Sequence, residues 1–349
     1  MRRFLSLFLV LFILMMSFTN IAHADEKVLN VYGWTAEIPD EIIEQFERIY
    51  GIKVNFSTYE NNEIMYAKLK AVKSPGYDIV MPSSYYVDRM RRQGMLEKLD
   101  KNQLPNIKNL YPQLADTSYD PHSNYSIPHL WGITGIYYNK KDYPPNTITS
   151  WNDLWDKKYR DQLMLLDDTR EIFSMGLLSL GYSANDSNPA HIKAAYLKLK
   201  ALIPNARVFA SDMVPSIMAD EDAPAGMAWN GDAFKASADN PDVAFVFPKE
   251  GFVIWVDTFA ILKNAPHKKE AYEFINYMLR ADIAKVVAIE TRYSTANAAA
   301  QKLLPPDIRN NPTVYPSQSV VNRGEFQTDL SDDTLALYEK YWEALKMGG

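Results

Sequence analysis

Apolar positions along the chain alternate in short runs, and amphipathic stretches with a helical repeat stand between them. Val28 to Tyr32 reads as a strand, then a loop from Gly33 to Pro39 leads to a helix opening near Asp40. On that helix Ile42, Ile43, Phe46, Ile49 and Tyr50 share one face, and Gly51 closes it. Lys53 to Tyr59 alternates as a second strand, Glu63 to Val72 repeats as a helix, and Tyr77 to Met81 is a third strand. This βαβαβ opening predicts parallel strands in an α/β fold. Ligands of such sheets sit beyond the carboxyl ends of the strands, in the loops that lead into helices. Trp34 and Thr35 occupy one such loop, and Ser83, Ser84 and Tyr85 the next.

From Asp100 to Asn124 the chain turns polar and proline-bearing, as a surface connection would. Ser126 to Asn139 then reads as one long apolar strand broken by Gly132 and Gly135, long enough to cross between two domains and to bend at its glycines. Ser150 caps a short helix carrying Trp151 and Trp155. Leu163 to Leu166 is a buried strand that runs into Asp167-Asp168-Thr169-Arg170-Glu171 and a helix closed by Gly181. Asp168 with Glu171 three residues on has the form of a capping box, yet both also stand at a strand's carboxyl end, where one carboxylate can cap while the other binds. Lys193 to Leu202 is a helix, and a strand ends near Ser211 and Asp212. Another strand stops at Trp229, repeating the placement of Trp34, and Val243 to Pro248 comes next.

Gly251 to Leu262 is the second long apolar strand, interrupted by the single carboxylate of Asp257. Strand alternation puts Trp255 and Asp257 on one side, with Val256 and Thr258 on the other. Two readings stand: a core tryptophan beside a strand aspartate bonded to a loop, or a surface for an organic cation, with a π-face for its body and an anion for its charge. Helices come after it at His267 to Arg280, Asp282 to Thr291, Ala296 to Leu304 and Leu335 to Met347. The turn Arg292 to Thr295 carries Tyr293 as an exposed aromatic, and Trp342 falls on an apolar stripe with the character of core.

Met1-Arg2-Arg3, an apolar run from Phe4 to Phe18 and Ala22-His23-Ala24 have the layout of a secretory signal peptide over residues 1–24. The run is short of the roughly 20 residues a spanning helix needs. Loss of Arg2 and Arg3 with this leader takes the formal net charge below −6. An exported chain with no cysteine must hold itself by core burial, and it lacks the thiol that a lipid tether would use. The acidic balance argues against nucleic acid as a partner and suits a cationic ligand. The sequence has no Gly-x-Ser-x-Gly elbow, no phosphate-binding P-loop and no His-Glu-x-x-His, and its five histidines lack metal spacing. No cofactor or metal is expected. A hydrolase using Asp168, Glu171 or Asp257 as paired acid and base remains the alternative to a binding protein, and a signalling or adhesion role stays open.

Aromatics and carboxylates at successive strand ends, in an exported α/β chain with two long crossing strands, resemble the type II periplasmic solute-binding proteins. Tyr59 to Lys70, Pro82 to Asp88, Asp167 to Glu171 and Trp229-Asn230-Gly231 are similar to the spermidine/putrescine-binding periplasmic proteins of polyamine ABC transporters. The resemblance implies a two-domain fold with the ligand in an interdomain cleft. Its domains fall at 25–131 plus 258–304 and at 132–257 plus 305–349. It implies an aromatic box of Trp34, Tyr85, Trp229, Trp255 and Tyr293. It implies anions at Asp168, Glu171 and Asp257, with polar contacts at Thr35, Ser83, Ser211 and Gln327. A monomer in the periplasm that hands its polyamine to an inner-membrane permease is the implied role.

The chain departs from this family at Trp34-Thr35-Ala36-Glu37, where close relatives read Trp-Thr-acid-Tyr. In an extended loop neighbouring residues point opposite ways, so a carboxylate moved by one position reaches a different wall. Glu37 is therefore a candidate ligand contact that changes selectivity between putrescine and spermidine. Its alternative is a solvent-facing charge ahead of a helix N-terminus.

Overall fold

The computed structural model describes residues 27–72 and 76–347, and the expected leader lies outside them. The first alternating run becomes β1 (Lys27–Trp34), which pairs in parallel with β2 (Ile52–Tyr59) on one side and β3 (Ile79–Val80) on the other. β1 continues past Tyr32 because Gly33 and Trp34 stay in register with Thr58 and Tyr59. Helix Asp40–Tyr50 buries Ile42 and Phe46, and Gly51 ends it at φ 63°, a left-handed step that suits glycine.

The two long strands organise everything else. β4 (Ser126–Asn139) and β9 (Phe252–Ile261) run antiparallel from Ser126 opposite Ala260 to Ile133 opposite Ile254. Beyond them the sheet continues through β7 (Ala225–Trp229), β5 (Leu163–Leu166) and β6 (Ala206–Ala210), with β8 (Val243–Val246) also on β4. Ile127 and Leu130 of β4 pack in one hydrophobic core with Val256 and Phe259 of β9. Ile136 to Tyr138 and Trp255 pack in a second core, with Trp151, Tyr338 and Trp342. Each long strand therefore begins in one core and ends in the other.

Three local expectations change. The expected helix at Ala296 to Leu304 shrinks to Ala298–Gln301, because Ser294–Thr295 (β10) adds to β4 and the Asn297 side chain caps the short helix after it. Arg292 sits at φ 63° and turns the chain into that pairing, so Tyr293 lies half-buried against both cores instead of exposed. The segment 100–124 is more than a surface connection, since Leu104, Leu110, Leu114 and Tyr119 anchor it in the first core.

Candidate functional site

The site is built where strand ends of the two cores face each other. At the end of β1 the Trp34 ring lies 4.6 Å from that of Tyr59. Thr35 is next and is exposed, the one residue of the expected set that is. Ala36 then takes φ 58°, uncommon for a residue with a Cβ, and this left-handed turn swings Glu37 inward. Glu37 is 8% exposed, and neither of its carboxylate oxygens has a hydrogen-bond partner among the described residues. It does not project to solvent as a helix-end charge.

Asp257 meets it from β9. The Ser83 hydroxyl donates to Asp257 Oδ1 at 2.6 Å, and Asn62 fixes Ser83 by accepting its amide at 3.1 Å. Asn62 also donates to the Ser83 and Tyr85 hydroxyls. Burial pushes the Asp257 carboxyl up to about 7 against the opposing pull of the Ser83 hydrogen bond. Burial raises Glu37 well above the carboxylate range, and the Asp257 charge raises it further.

Aromatic walls close over these anions. Trp255 meets Tyr293 edge to face at 5.2 Å. A Cβ on Gly132 would fall 2.2 Å from the Trp255 ring, and one on Gly231 would fall 2.1 Å from Tyr293, so both glycines are needed for the rings to lie against backbone. The Tyr293 hydroxyl donates to Asp232 at 2.6 Å, and burial lifts the Asp232 carboxyl to about 6.

The second group lies on the other core. Asp168 caps helix Thr169–Leu178 by accepting the Glu171 amide at 2.9 Å. The capping box stops there. Glu171 leaves its carboxylate in the cleft, toward the Thr134 hydroxyl and Trp229, with Oε2 unpaired. Burial first, and then the Asp168 charge, lift Glu171 to about 8. Asp168 is itself raised by burial. Glu63, on helix Asn62–Ala71, approaches this pair from the first core and is pushed up to about 7 by burial and by Asp168. Tyr85 is buried, with the Arg170 guanidinium 5.0 Å from its ring centre. Gln327 is buried against Ser174 of the same helix, and the Ser211 hydroxyl is buried and unpaired.

Pattern reading missed Asn62, Glu63, His129 and Asp232. Asn62 and Glu63 did carry a signal, since they stand where β2 turns into a helix, the position that singled out Trp34 and Ser83. The result is a cleft in which acids outnumber the nearby base, lined by rings and holding buried polar atoms on Trp34, Glu37, Glu171, Ser211 and Trp255 with no protein partner among the described residues. The Glu37, Glu171 and Ser211 oxygens are free to accept hydrogen bonds, as a cation would offer, whereas the Trp34 and Trp255 indole N–H groups can only donate. Among the described residues no group of acids and histidines is arranged to hold a metal.

Known proteins point the same way. The profile of the family described as bacterial extracellular solute-binding protein matches residues 41–316. The spermidine/putrescine-binding periplasmic protein of Salmonella typhimurium is 46% identical, over 94% of this chain and 94% of its own length. A putrescine-binding periplasmic protein of Pseudomonas aeruginosa is 33% identical over 93% of each. Among solved structures, a candidate spermidine/putrescine ABC transporter protein from Listeria monocytogenes superposes with a TM-score of 0.89 at 36% identity, covering 92% of this chain and 99% of its own. The substrate-binding protein of a spermidine/putrescine ABC transporter from Streptococcus pneumoniae gives 0.79 at 32% identity, with the same coverage.

Proposed function

Because the chain belongs to the family of bacterial extracellular solute-binding proteins, with the two-domain type II periplasmic-binding-protein fold, we propose that its cleft captures a polyamine, spermidine or putrescine, for an ABC transporter. The observation that carries this is the pairing of buried, unpartnered carboxylates with aromatic walls. A polyamine is a chain of methylenes between protonated nitrogens. Flat rings such as Trp34, Trp255 and Tyr293 cover the methylenes, while Glu37 with Asp257 and Asp168 with Glu171 meet nitrogens along the chain. At about 4 Å and an effective dielectric near 20, each pair has a Coulomb term of roughly 4 kcal/mol before desolvation is subtracted, so several pairs are needed.

The receptor works as a monomer in the periplasm, reached by export and removal of residues 1–24, and it passes its ligand unchanged to the membrane permease. Its moving bodies are 25–131 with 258–304, and 132–257 with 305–349. Titration calorimetry tests the reading directly. Spermidine or putrescine should bind while sugars and neutral amino acids give no heat, and the ligand should be recovered intact. A sugar binding in place of polyamines, or ligand cleavage, would sink it.

Closure has its own support at the rim. Arg89 is buried and lies 3.3 Å from Asp329, it also pairs with Asp332, and Arg92 pairs with Asp329. Arg89 stands just after Val87 of the first core, whereas Asp329 and Asp332 adjoin Leu330 in the second, so these bridges link segments of the two cores, which supports closure between them. Ligand is expected to draw the bodies together about β4 and β9, near Gly132 to Gly135 and Val256 to Phe259. Small-angle scattering should show a smaller radius of gyration with spermidine. Arg89→Ala, which removes bridges made in the closed form, should lessen that contraction, and scattering curves of the unmodified protein unchanged by ligand would rule this hinge out.

A further inference from the structure

His129 enters the cleft through an irregularity of the sheet. β4 keeps register with β9 except between Pro128, opposite Thr258, and Leu130, opposite Asp257. His129 is the residue left over in that bulge, and a bulge re-aims the side chain it carries. The imidazole is 5% exposed and packs 4.5 Å from the Phe259 ring. Its Nε2 has no hydrogen-bond partner among the described residues and stands 4.0 Å from Glu37 Oε1, too far for a hydrogen bond between them. Burial drives the ring's pKa down to about 3, so at neutral pH it is uncharged, with one ring nitrogen a donor and the other an acceptor.

His129 Nε2 and Glu37 Oε1 thus face each other, and Glu37 is in turn near enough to Asp257, whose carboxylate Ser83 only partly occupies, for the Asp257 charge to act on it. A primary ammonium carries three N–H donors. Two acceptors each about 2.8 Å from one such nitrogen stand roughly 4.6 Å apart at the tetrahedral angle and about 4 Å apart at a right angle, so the 4.0 Å gap from Glu37 to His129 fits at the close end. Resting on the polyamine reading, we infer that Glu37, Asp257 and His129 form a socket for the terminal primary ammonium of the ligand. In that socket His129 carries its proton on Nδ1, so that Nε2 takes one of the ammonium N–H groups and selects against substituted amine ends.

The test uses calorimetry with putrescine and with putrescine dimethylated at both ends, which keeps both charges and leaves one N–H per end. The unmodified protein should bind putrescine at least tenfold more tightly. His129→Phe keeps a ring of similar size without the acceptor, and should weaken putrescine three- to tenfold while narrowing that preference. His129→Gln, which restores an acceptor, should recover part of both, and Glu37→Gln should also weaken putrescine. Nitrogen-15 spectra of the unmodified protein give a readout that does not depend on variant folding, since the His129 Nε2 signal should move with putrescine and much less with the methylated ligand. A folded His129→Phe with the unmodified protein's affinities, or an Nε2 signal indifferent to putrescine, overturns the socket and leaves polyamine capture standing. No polyamine binding by the unmodified protein overturns both.

Discussion

Asp257→Asn is expected to weaken polyamine binding at least tenfold, about 1.4 kcal/mol, with the fold intact. The carboxylate stands between the Ser83 hydroxyl on one side and the cleft, with the unpartnered Glu37, on the other. Asparagine still offers Ser83 an oxygen, so the link between β9 and the loop after β3 survives. It withdraws the charge that a desolvated ammonium needs, and an ammonium left under-compensated in a dry site is costly. Burial already raises the Asp257 carboxyl to about 7, so its ionised form is disfavoured in the ligand-free cleft. The neutral variant should therefore melt at or above the temperature of the unmodified protein at pH 8. Calorimetry beside thermal melts decides the matter. A melt that collapses while the folded fraction binds normally would make Asp257 a structural residue.

The sequence showed most plainly the features that depend on local alternation. Trp255 and Asp257 share a side because strand periodicity is rigid, and Gly51 ends its helix because a left-handed residue is needed there. Pattern reading faltered where tertiary contacts override local form. The Asp168 to Glu171 spacing is that of a capping box, but Glu171 gives up the return bond and keeps its carboxylate in the cleft beside Thr134 and Trp229, which come from distant strands. Glu37 turns inward, but the cause is the positive φ at Ala36 and not the alternation of an extended loop. His129 carried no pattern at all. Its direction depends on a register shift between strands more than a hundred residues apart in sequence, which no single-strand period reveals. Tyr293 read as exposed because the pairing of Ser294 and Thr295 with β4 is equally non-local.

Polyamine affinity is expected to rise by more than tenfold between pH 6 and pH 8. Asp257 and Glu63 are lifted to about 7, Glu171 to about 8, and Glu37 is raised as well, each chiefly by burial. A ligand amine with a pKa like that of lysine, about 10.4, stays protonated across this range. Binding favours the ionised carboxylates, so protons leave the protein as the ammonium groups arrive. Each carboxyl still protonated in the ligand-free site contributes up to about one logarithmic unit of affinity per pH unit below its own pKa. Stability of the ligand-free protein runs the other way. Asp257, Glu63 and Glu171 have folded pKa values above their unfolded ones near 4, so their contribution is fully present below about pH 4 and is lost as pH rises through about 7 to 8. The ligand-free protein should lose melting temperature from pH 5 to pH 8 through these groups, whereas saturating spermidine should stabilise it most at pH 8. Calorimetry in buffers of different ionisation enthalpy counts the protons released. Affinity flat from pH 6 to pH 8 with no proton release would mean that the carboxylates are already ionised before the ligand arrives, and that the dry, proton-bearing cleft is not the state that receives it.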